Sequence, residues 1–273
     1  MKEHISIGGR LFKENRVNEM PLEKENIIKK NAHELGELKN KNGDKVIIRV
    51  NNFKVEKKRS ATQSAVEYAK IGNELFKELA DKYHVRQPEI MFFVGKDAED
   101  EISVYTASNI IEGNRLESQI IALGKDSFDL EDENNLLLEL DNLYVSMLDY
   151  YFDIIKAFSS GGKRYLWDIG HVRQYMYGKK KGDDINHIYL IDFDPYFYEA
   201  TPENSLKAVE KFIYWIRSVL VEEEHTGYQF VGARKSAIQN IHALLELNDS
   251  GNSSPLDAVD EQTLQSLLIK LTQ

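Results

Sequence analysis

The sequence predicts an α+β protein in which a small β-rich region precedes a larger helical region. Runs of β-branched and aromatic residues at 45–50, 90–94 and 102–106 indicate strands, whereas most of the second half of the chain has apolar residues at helical spacing. We therefore expect two lobes, an N-terminal lobe over 1–112 and a helical C-terminal lobe over 113–273, with a cleft between them.

The N-terminal region contains two predicted hairpins separated by a helix. The turn residues Asn42-Gly43-Asp44 lead into the strand at 45–50. The strands at 90–94 and 102–106 form the second hairpin, joined by an acidic turn. Between the hairpins a helix is predicted over 61–83, because the following residues fall on one of its faces: Tyr68, Gly72, Leu75, Phe76, Leu79 and Tyr83.

The C-terminal region is predicted to be helical apart from one small hairpin. A long helix is expected between Leu130 and Phe158, ended by Gly161-Gly162. Two short strands follow, around 175–177 and 188–191, separated by a lysine-rich turn. Beyond Ser205 the pattern is helical, with breaks at 225–232 and 248–255.

Composition and charge exclude several classes of protein. The chain has 273 residues, of which 45 are Asp or Glu and 35 are Lys or Arg, so its net charge is -10 and a general nucleic-acid-binding surface is not expected. The absence of cysteine excludes disulfides, thiolate zinc ligands and cysteine nucleophiles. No stretch has the apolar character of a signal peptide or membrane helix, so we expect a cytoplasmic protein with no membrane partner. A signal for export by a specialised secretion system would not be detected from the hydropathy of the sequence.

Three polar residues stand out around the predicted hairpin. Asp168 precedes a tight polar loop, Gln174 follows six positions later, and Asp192 ends the apolar run Ile188-Tyr189-Leu190-Ile191. These residues would converge if the two strands pair. Phosphoryl transfer to a hydroxyl requires one carboxylate that orients the hydroxyl and accepts its proton. It also requires a carboxylate and an amide oxygen that hold Mg²⁺. A charge at the end of a buried strand costs free energy unless it binds something, which favours a functional role for Asp192.

The segments Trp167 to Tyr177 and Ile188 to Pro195 resemble the protein-kinase-like superfamily. The similarity is greatest to its aminoglycoside phosphotransferase and choline kinase branch, in which Asp-Phe-Asp often replaces Asp-Phe-Gly. The order of elements is similar over roughly residues 30 to 220. The resemblance implies a bilobal fold, a catalytic role for Asp168 and Mg²⁺ binding by Asp192 and Gln174.

The same resemblance implies a site for ATP. Arg49, at the end of Val46-Ile47-Ile48-Arg49, stands where the family has its phosphate-pairing lysine, and Glu67 would be its ion-pair partner. The segment from Ser108 to Leu116, with Asn109 and Ile111, looks like the hinge that holds the adenine. The implied cofactors are ATP and Mg²⁺, and the implied partner is an acceptor with a hydroxyl group.

The chain departs from the family's pattern at four points. Leu166 occupies the place of the catalytic-loop histidine, and Arg173 that of the asparagine, so that Gln174 comes one position late. Arg49 replaces lysine, and its planar fork has a different hydrogen-bond geometry. No G-x-G-x-x-G is present, and the turn near Gly36 is the best candidate for the phosphate-covering loop.

Three functional hypotheses remain open at the level of sequence. The leading one is an ATP- and Mg²⁺-dependent phosphotransferase that acts on a hydroxyl of a small molecule or protein. The second is a pseudokinase, a binding or scaffold module without phosphoryl transfer. The third is an unrelated α+β interaction protein. In that case the site residues have ordinary roles: Asp168 as a turn or N-cap acid, Asp192 as part of an acidic turn, Arg49 as a solvated strand residue, and Glu67 as a surface charge.

Overall fold

The structure is a computed structural model, which describes most of the chain from residue 60 onward and shorter stretches before it. The predicted turn at 42–44, the proposed helix end at Gly161-Gly162, and Asp168 lie outside the described residues. The described ranges are 4–7, 10–13, 22–23, 36–40, 45–51, 60–96, 102–123, 125, 128–158, 163–166, 169–192, 197–249 and 256–273.

The N-terminal region forms an antiparallel sheet that has seven strands within the described residues, in the order β1-β2-β6-β7-β5-β4-β3. The predicted strand at 45–50 pairs with the second strand of the predicted hairpin, with Arg49 opposite Thr106. Both predicted hairpins are confirmed. The strands are β1 (His4–Ile7), β2 (Arg10–Lys13), β3 (Leu22–Glu23), β4 (Gly36–Asn40), β5 (Lys45–Asn51), β6 (Ile90–Lys96) and β7 (Ile102–Asn109).

Helix α1 (Ala61–Tyr83) packs on this sheet, as its apolar face predicts. It begins with a capping box, in which the Ser60 hydroxyl accepts from the Gln63 N–H and the Gln63 side chain accepts from the Ser60 N–H. The Phe76 ring stacks on Phe92 of β6 at 5.3 Å between centroids. The Asn73 side chain donates to the Phe92 carbonyl and accepts from its N–H, which fixes the helix on the strand.

The chain passes from β7 almost directly into a second sheet, in which the structure describes three strands. Strand β8 (Glu112–Arg115) pairs with β10 (Tyr175–Lys179), which pairs with β11 (His187–Leu190). The predicted hairpin at 175–177 and 188–191 is therefore confirmed. Strand β9 (Arg164–Leu166) pairs with β12 (Phe197–Glu199) in a further two-stranded ladder.

The rest of the described chain is helical, as predicted, and is organised around the long helix α3. Among the side chains that α3 (Leu130–Ala157) buries are Leu140, Met147 and Tyr151, and Asp129 caps its first turn by accepting from the Asp132 N–H. The helices are α2 (Leu116–Ala122), α3 (Leu130–Ala157), α4 (Pro202–Thr226), α5 (Val231–Asp249) and α6 (Ala258–Thr272).

A continuous apolar core connects these elements. It extends from Phe76 on α1 through Tyr150 on α3 to Trp215 on α4 and Leu267 on α6. Among the helices that the structure describes, none combines the length and apolar character that a bilayer-spanning segment requires.

Candidate functional site

Two of the predicted site residues meet directly. Arg49 lies on β5 of the large sheet, and Asp192 follows β11 after one residue. Arg49 Nη1 donates to Asp192 Oδ1 at 3.4 Å, with side chains 27% and 33% exposed. A strand of the N-terminal sheet and the end of the C-terminal hairpin thus place a cation and an acid together at a half-buried position.

The third predicted residue, Gln174, lies beside Asp192 along the hairpin. Gln174 ends a short 3-10 turn (Val172–Gln174), and its carbonyl accepts from the Ile191 N–H at 2.8 Å. Because Ile191 immediately precedes Asp192, this bond holds the two residues at the open end of the β10–β11 pair. The backbones of Gln174 and Asp192 are therefore neighbours, as pairing of the two predicted strands requires.

Arg173, at the position of the asparagine in the superfamily that the sequence resembles, forms an ion pair with an acid on another element. Its Nε lies 2.9 Å from Glu117 Oε1 on α2. The guanidinium of Arg173 has no oxygen that could bind a metal, so Gln174 is the amide that the sequence offers here. Sequence reasoning missed Glu117, whose only local signal is its place in the first turn of α2.

Glu67 has a different partner from the one predicted. Its Oε1 lies 3.7 Å from Arg164 Nη1 on β9, and the Nε of the same arginine lies 3.7 Å from Glu199 Oε1 on β12. The predicted Arg49–Glu67 ion pair is thus replaced by the pairs Arg49–Asp192 and Arg164–Glu67. The cause is the position of Glu67 on the face of α1 that meets β9.

The segment predicted to hold adenine joins β7 to β8. The Asn109 N–H donates to the Glu89 carbonyl at 3.1 Å, and the Asn109 side-chain amide donates to the Glu89 carboxylate at 3.2 Å. Ile111 is buried. The backbone N–H of Asn109 and one N–H of its side-chain amide are therefore used by the loop before β6.

The loop after Asp168 is anchored from several sides, although Asp168 itself lies outside the described residues. The Tyr175 hydroxyl donates to the Ile169 carbonyl at 3.0 Å. A Cβ placed on Gly170 would lie 2.4 Å from the Tyr151 hydroxyl, so that this position accepts only a glycine without rearrangement.

His171, in the same loop, faces a lysine that the sequence did not single out. Its Nε2 lies 2.8 Å from Lys211 Nζ on α4, and its ring packs edge-on against Tyr214. Burial lowers the pKa of His171 below its ordinary value, and the charges of Lys211 and Arg173 lower it further. A neutral imidazole that accepts a hydrogen bond from Lys211 is consistent with this direction.

The donor set at the end of the hairpin fits a magnesium ion. Asp192 and Gln174 supply a carboxylate and an amide oxygen, and Mg²⁺ typically takes one or two such protein ligands with water and phosphate oxygens as the others. Within the described ranges there is no cluster of three or more His, Asp or Glu side chains that could hold a metal by themselves.

A cavity of about 750 Å³ lies elsewhere, between the end of α1, helix α3 and the β10–β11 hairpin. On its wall the buried Glu139 carboxylate accepts from His187 Nδ1 at 3.0 Å and from the Ile188 N–H at 3.1 Å. None of the residues predicted for nucleotide or metal binding lines this cavity. It is separate from the candidate site.

Comparison with known proteins finds distant similarity of structure. The sequence matches no protein-family model and no curated protein. A MAP kinase from Leishmania major is similar with 10% identity and a TM-score of 0.34, covering 92% of this chain and 79% of that chain. An aminoglycoside phosphotransferase from Alicyclobacillus acidocaldarius is similar with 11% identity and a TM-score of 0.32, covering 91% of this chain and 92% of that chain.

Proposed function

We propose that this chain is an ATP- and Mg²⁺-dependent phosphotransferase of kinase-like fold that acts on a hydroxyl group of a small molecule or protein. The observation that carries the proposal is the contact of Arg49 with Asp192, beside Gln174. The resemblance assigns Arg49 to the phosphates and Asp192 to the metal, although it pairs Arg49 with Glu67, and the contact brings these two residues together.

Each residue has a role in the proposed reaction. Asp168 orients the acceptor hydroxyl and accepts its proton as the oxygen attacks the γ-phosphorus and the bond to ADP breaks. Asp192 and Gln174 would hold Mg²⁺, which when bound neutralises charge on the phosphates. Arg49 exchanges its contact with Asp192 for contacts to phosphate oxygens, and its fork geometry suits them.

The nucleotide would occupy a cleft between an N-terminal lobe, 1–112, and a C-terminal lobe, 113–273. In this arrangement Asn109 and Ile111 contribute to the adenine site at the joint, and Glu67 acts through Arg164 rather than through Arg49. ATP is the proposed partner, together with an acceptor that carries a hydroxyl group.

The test has two stages. In the first, thermal unfolding is followed with ATP, with and without Mg²⁺, because a ligand that binds only the folded state raises its stability. In the second, transfer from γ-labelled ATP is measured to aminoglycosides, choline, sugars, proteins and the chain itself. Stabilisation without transfer would favour a pseudokinase, and the absence of stabilisation would favour the unrelated interaction protein.

Substitution of Asp168 by Asn makes the second stage decisive. The amide keeps the shape of the side chain but loses its basicity, so kcat should fall by roughly 10² to 10⁴ while stabilisation by ATP and Mg²⁺ stays as in the parent. A variant that transfers phosphate as fast as the parent would remove Asp168 from the proposed reaction.

A further inference from the structure

The backbone of Leu166 is held by one buried hydroxyl. Its N–H donates to the Tyr150 hydroxyl at 2.7 Å, and that hydroxyl donates to the Leu166 carbonyl at 3.2 Å. Tyr150 lies on α3 and is 4% exposed, and Leu166 is 1% exposed. A single side chain therefore satisfies both polar backbone groups of a residue that stands two positions before Asp168.

Strand pairing explains why Leu166 needs such a partner. The Ala200 N–H donates to the Lys163 carbonyl at 2.7 Å, so this opposed pair is hydrogen-bonded across the ladder. Hydrogen-bonded and non-hydrogen-bonded pairs alternate in an antiparallel ladder. Leu166, opposite Phe197, is then a non-hydrogen-bonded pair whose N–H and carbonyl point away from β12 and toward α3. Without the Tyr150 hydroxyl, the buried N–H and carbonyl of Leu166 would each lose this hydrogen bond, which costs free energy.

A second buried tyrosine binds the backbone of Ile169, the first described residue after Leu166. Tyr175 on β10 is fully buried, and its hydroxyl donates to the Ile169 carbonyl at 3.0 Å. Tyr150 and Tyr175 thus bind the backbone immediately before and immediately after residues 167–168. We call this pair the tyrosine brace.

We propose that the tyrosine brace positions the catalytic acid for phosphoryl transfer, an inference that rests on the proposed function. Leu166 stands where the resembling family has a histidine, so that position supplies no polar side chain of its own. Tyr150 acts through the Leu166 backbone, and Tyr175 acts through Ile169. Both are positioning residues, because neither is assigned a contact with the reacting atoms.

The test compares Tyr150→Phe with Tyr165→Phe. The first removes the hydroxyl from the brace and keeps the ring. The second is a matched control, because within the described residues the buried Tyr165 hydroxyl has no hydrogen-bond partner and Tyr165 is adjacent to Leu166.

Since small misplacements of a reacting group can lower rates by up to about 10²-fold, kcat of Tyr150→Phe should fall by on the order of 10- to 100-fold. The KM for ATP and the stabilisation by ATP and Mg²⁺ should stay unchanged, and Tyr165→Phe should keep the parent kcat.

A second readout does not depend on turnover. Amide hydrogen exchange of Leu166 should accelerate in Tyr150→Phe and not in Tyr165→Phe, because only the first loses the acceptor of that N–H. A folded Tyr150→Phe chain with the parent kcat or the parent exchange rate at Leu166 would overturn the inference while leaving the proposed function intact. A parent that neither binds ATP nor transfers phosphate would overturn the proposed function, and the catalytic role of the brace with it.

Tyr175→Phe provides the second variant if Tyr150→Phe does not fold. It removes the hydrogen bond to Ile169, so the same loss of kcat at unchanged KM for ATP is expected. Parent kcat in folded Tyr175→Phe would contradict the brace.

Discussion

The guanidinium of Arg49 and the carboxylate of Asp192 form an ion pair of 3.4 Å between strand β5 and the second residue after strand β11. Both side chains are partly exposed, and ion pairs of this kind contribute about 0 to 1 kcal/mol to stability. The ion pair therefore contributes little to the stability of the fold. Its importance is that the proposed function assigns phosphate binding to one of these residues and metal binding to the other, and the contact places them side by side.

Replacement of Asp192 by Ala should abolish the part of ATP binding that depends on Mg²⁺ and leave the chain folded. The loss follows from the removal of the carboxylate oxygens that Mg²⁺ requires, and the fold survives because the pair with Arg49 adds little to stability. Calorimetric titration of ATP with and without Mg²⁺ measures the effect. Asp184→Ala, at an exposed position of the hairpin tip, is the control. Equal ATP affinity in Asp192→Ala and parent would remove Asp192 from the site.

Replacement of Arg49 by Ala should weaken ATP binding by roughly 10- to 100-fold, because a hydrogen bond to a charged group is worth about 1.5 to 3 kcal/mol. Arg49→Lys should recover part of the affinity, since it restores the charge but not the planar fork. Adenosine serves as the control ligand, because it has no phosphates for Arg49 to bind. An equal loss of affinity for adenosine and ATP would show that Arg49 supports the fold of the site and does not bind phosphate.

Gly113→Ala should destabilise the chain. A Cβ at this position would lie 2.2 Å from the Tyr177 carbonyl oxygen and 2.5 Å from Gly178 Cα, both backbone atoms of β10. Because backbone atoms cannot rotate away as a side chain can, we expect a loss of about 1 to 3 kcal/mol in the free energy of unfolding. Urea denaturation measures this, with the exposed neighbour Asn114→Ala as the control. Unchanged stability would contradict the close pairing of β8 with β10.

Lys211→Gln should raise the pKa of His171 toward its ordinary value without reaching it, because burial, the larger cause of the lowering, remains. The pKa of folded His171 lies below that of the unfolded chain, so the unfolded state binds more protons as the pH falls below about 6.5. Stability is therefore lost as the pH falls through this range, and less is lost in Lys211→Gln. An NMR titration of His171 measures the change, and Lys235→Gln, at an exposed position, should leave it unaltered. A pKa that does not respond to Lys211→Gln would contradict the contact.

Elements with a strong local pattern could be predicted from the sequence. Helix α1 has the predicted bounds, and the hairpins β6–β7 and β10–β11 pair as expected, because apolar periodicity and turn residues are properties of neighbouring positions. The short strands β8, β9 and β12 were missed. Strands β9 and β12 have only three residues each, and β8, with the sequence Glu-Gly-Asn-Arg, is exposed throughout and has none of the apolar residues by which the equally short β11 was recognised.

The site could be predicted in part, for a related reason. The neighbourhood of Gln174 and Asp192 follows from hairpin pairing, which the sequence indicates. The pairing of Glu67 with Arg164 depends instead on how α1 is oriented against β9, a tertiary relationship between distant parts of the chain. The hydrogen bond between the side chains of Asn109 and Glu89 likewise depends on a tertiary contact between separate parts of the chain. Such contacts leave no pattern in the sequence of either partner.

The use of a phenol to hold the strand before Asp168 affects how the chain responds to acid. Burial raises the pKa of Tyr150 well above its ordinary value, so its hydroxyl keeps one proton to donate and one lone pair to accept through the physiological range. An imidazole at this place would change its charge near neutrality. The hydroxyl of Tyr150 therefore does not change its charge in this range, and mild acidification leaves its two hydrogen bonds to Leu166 intact.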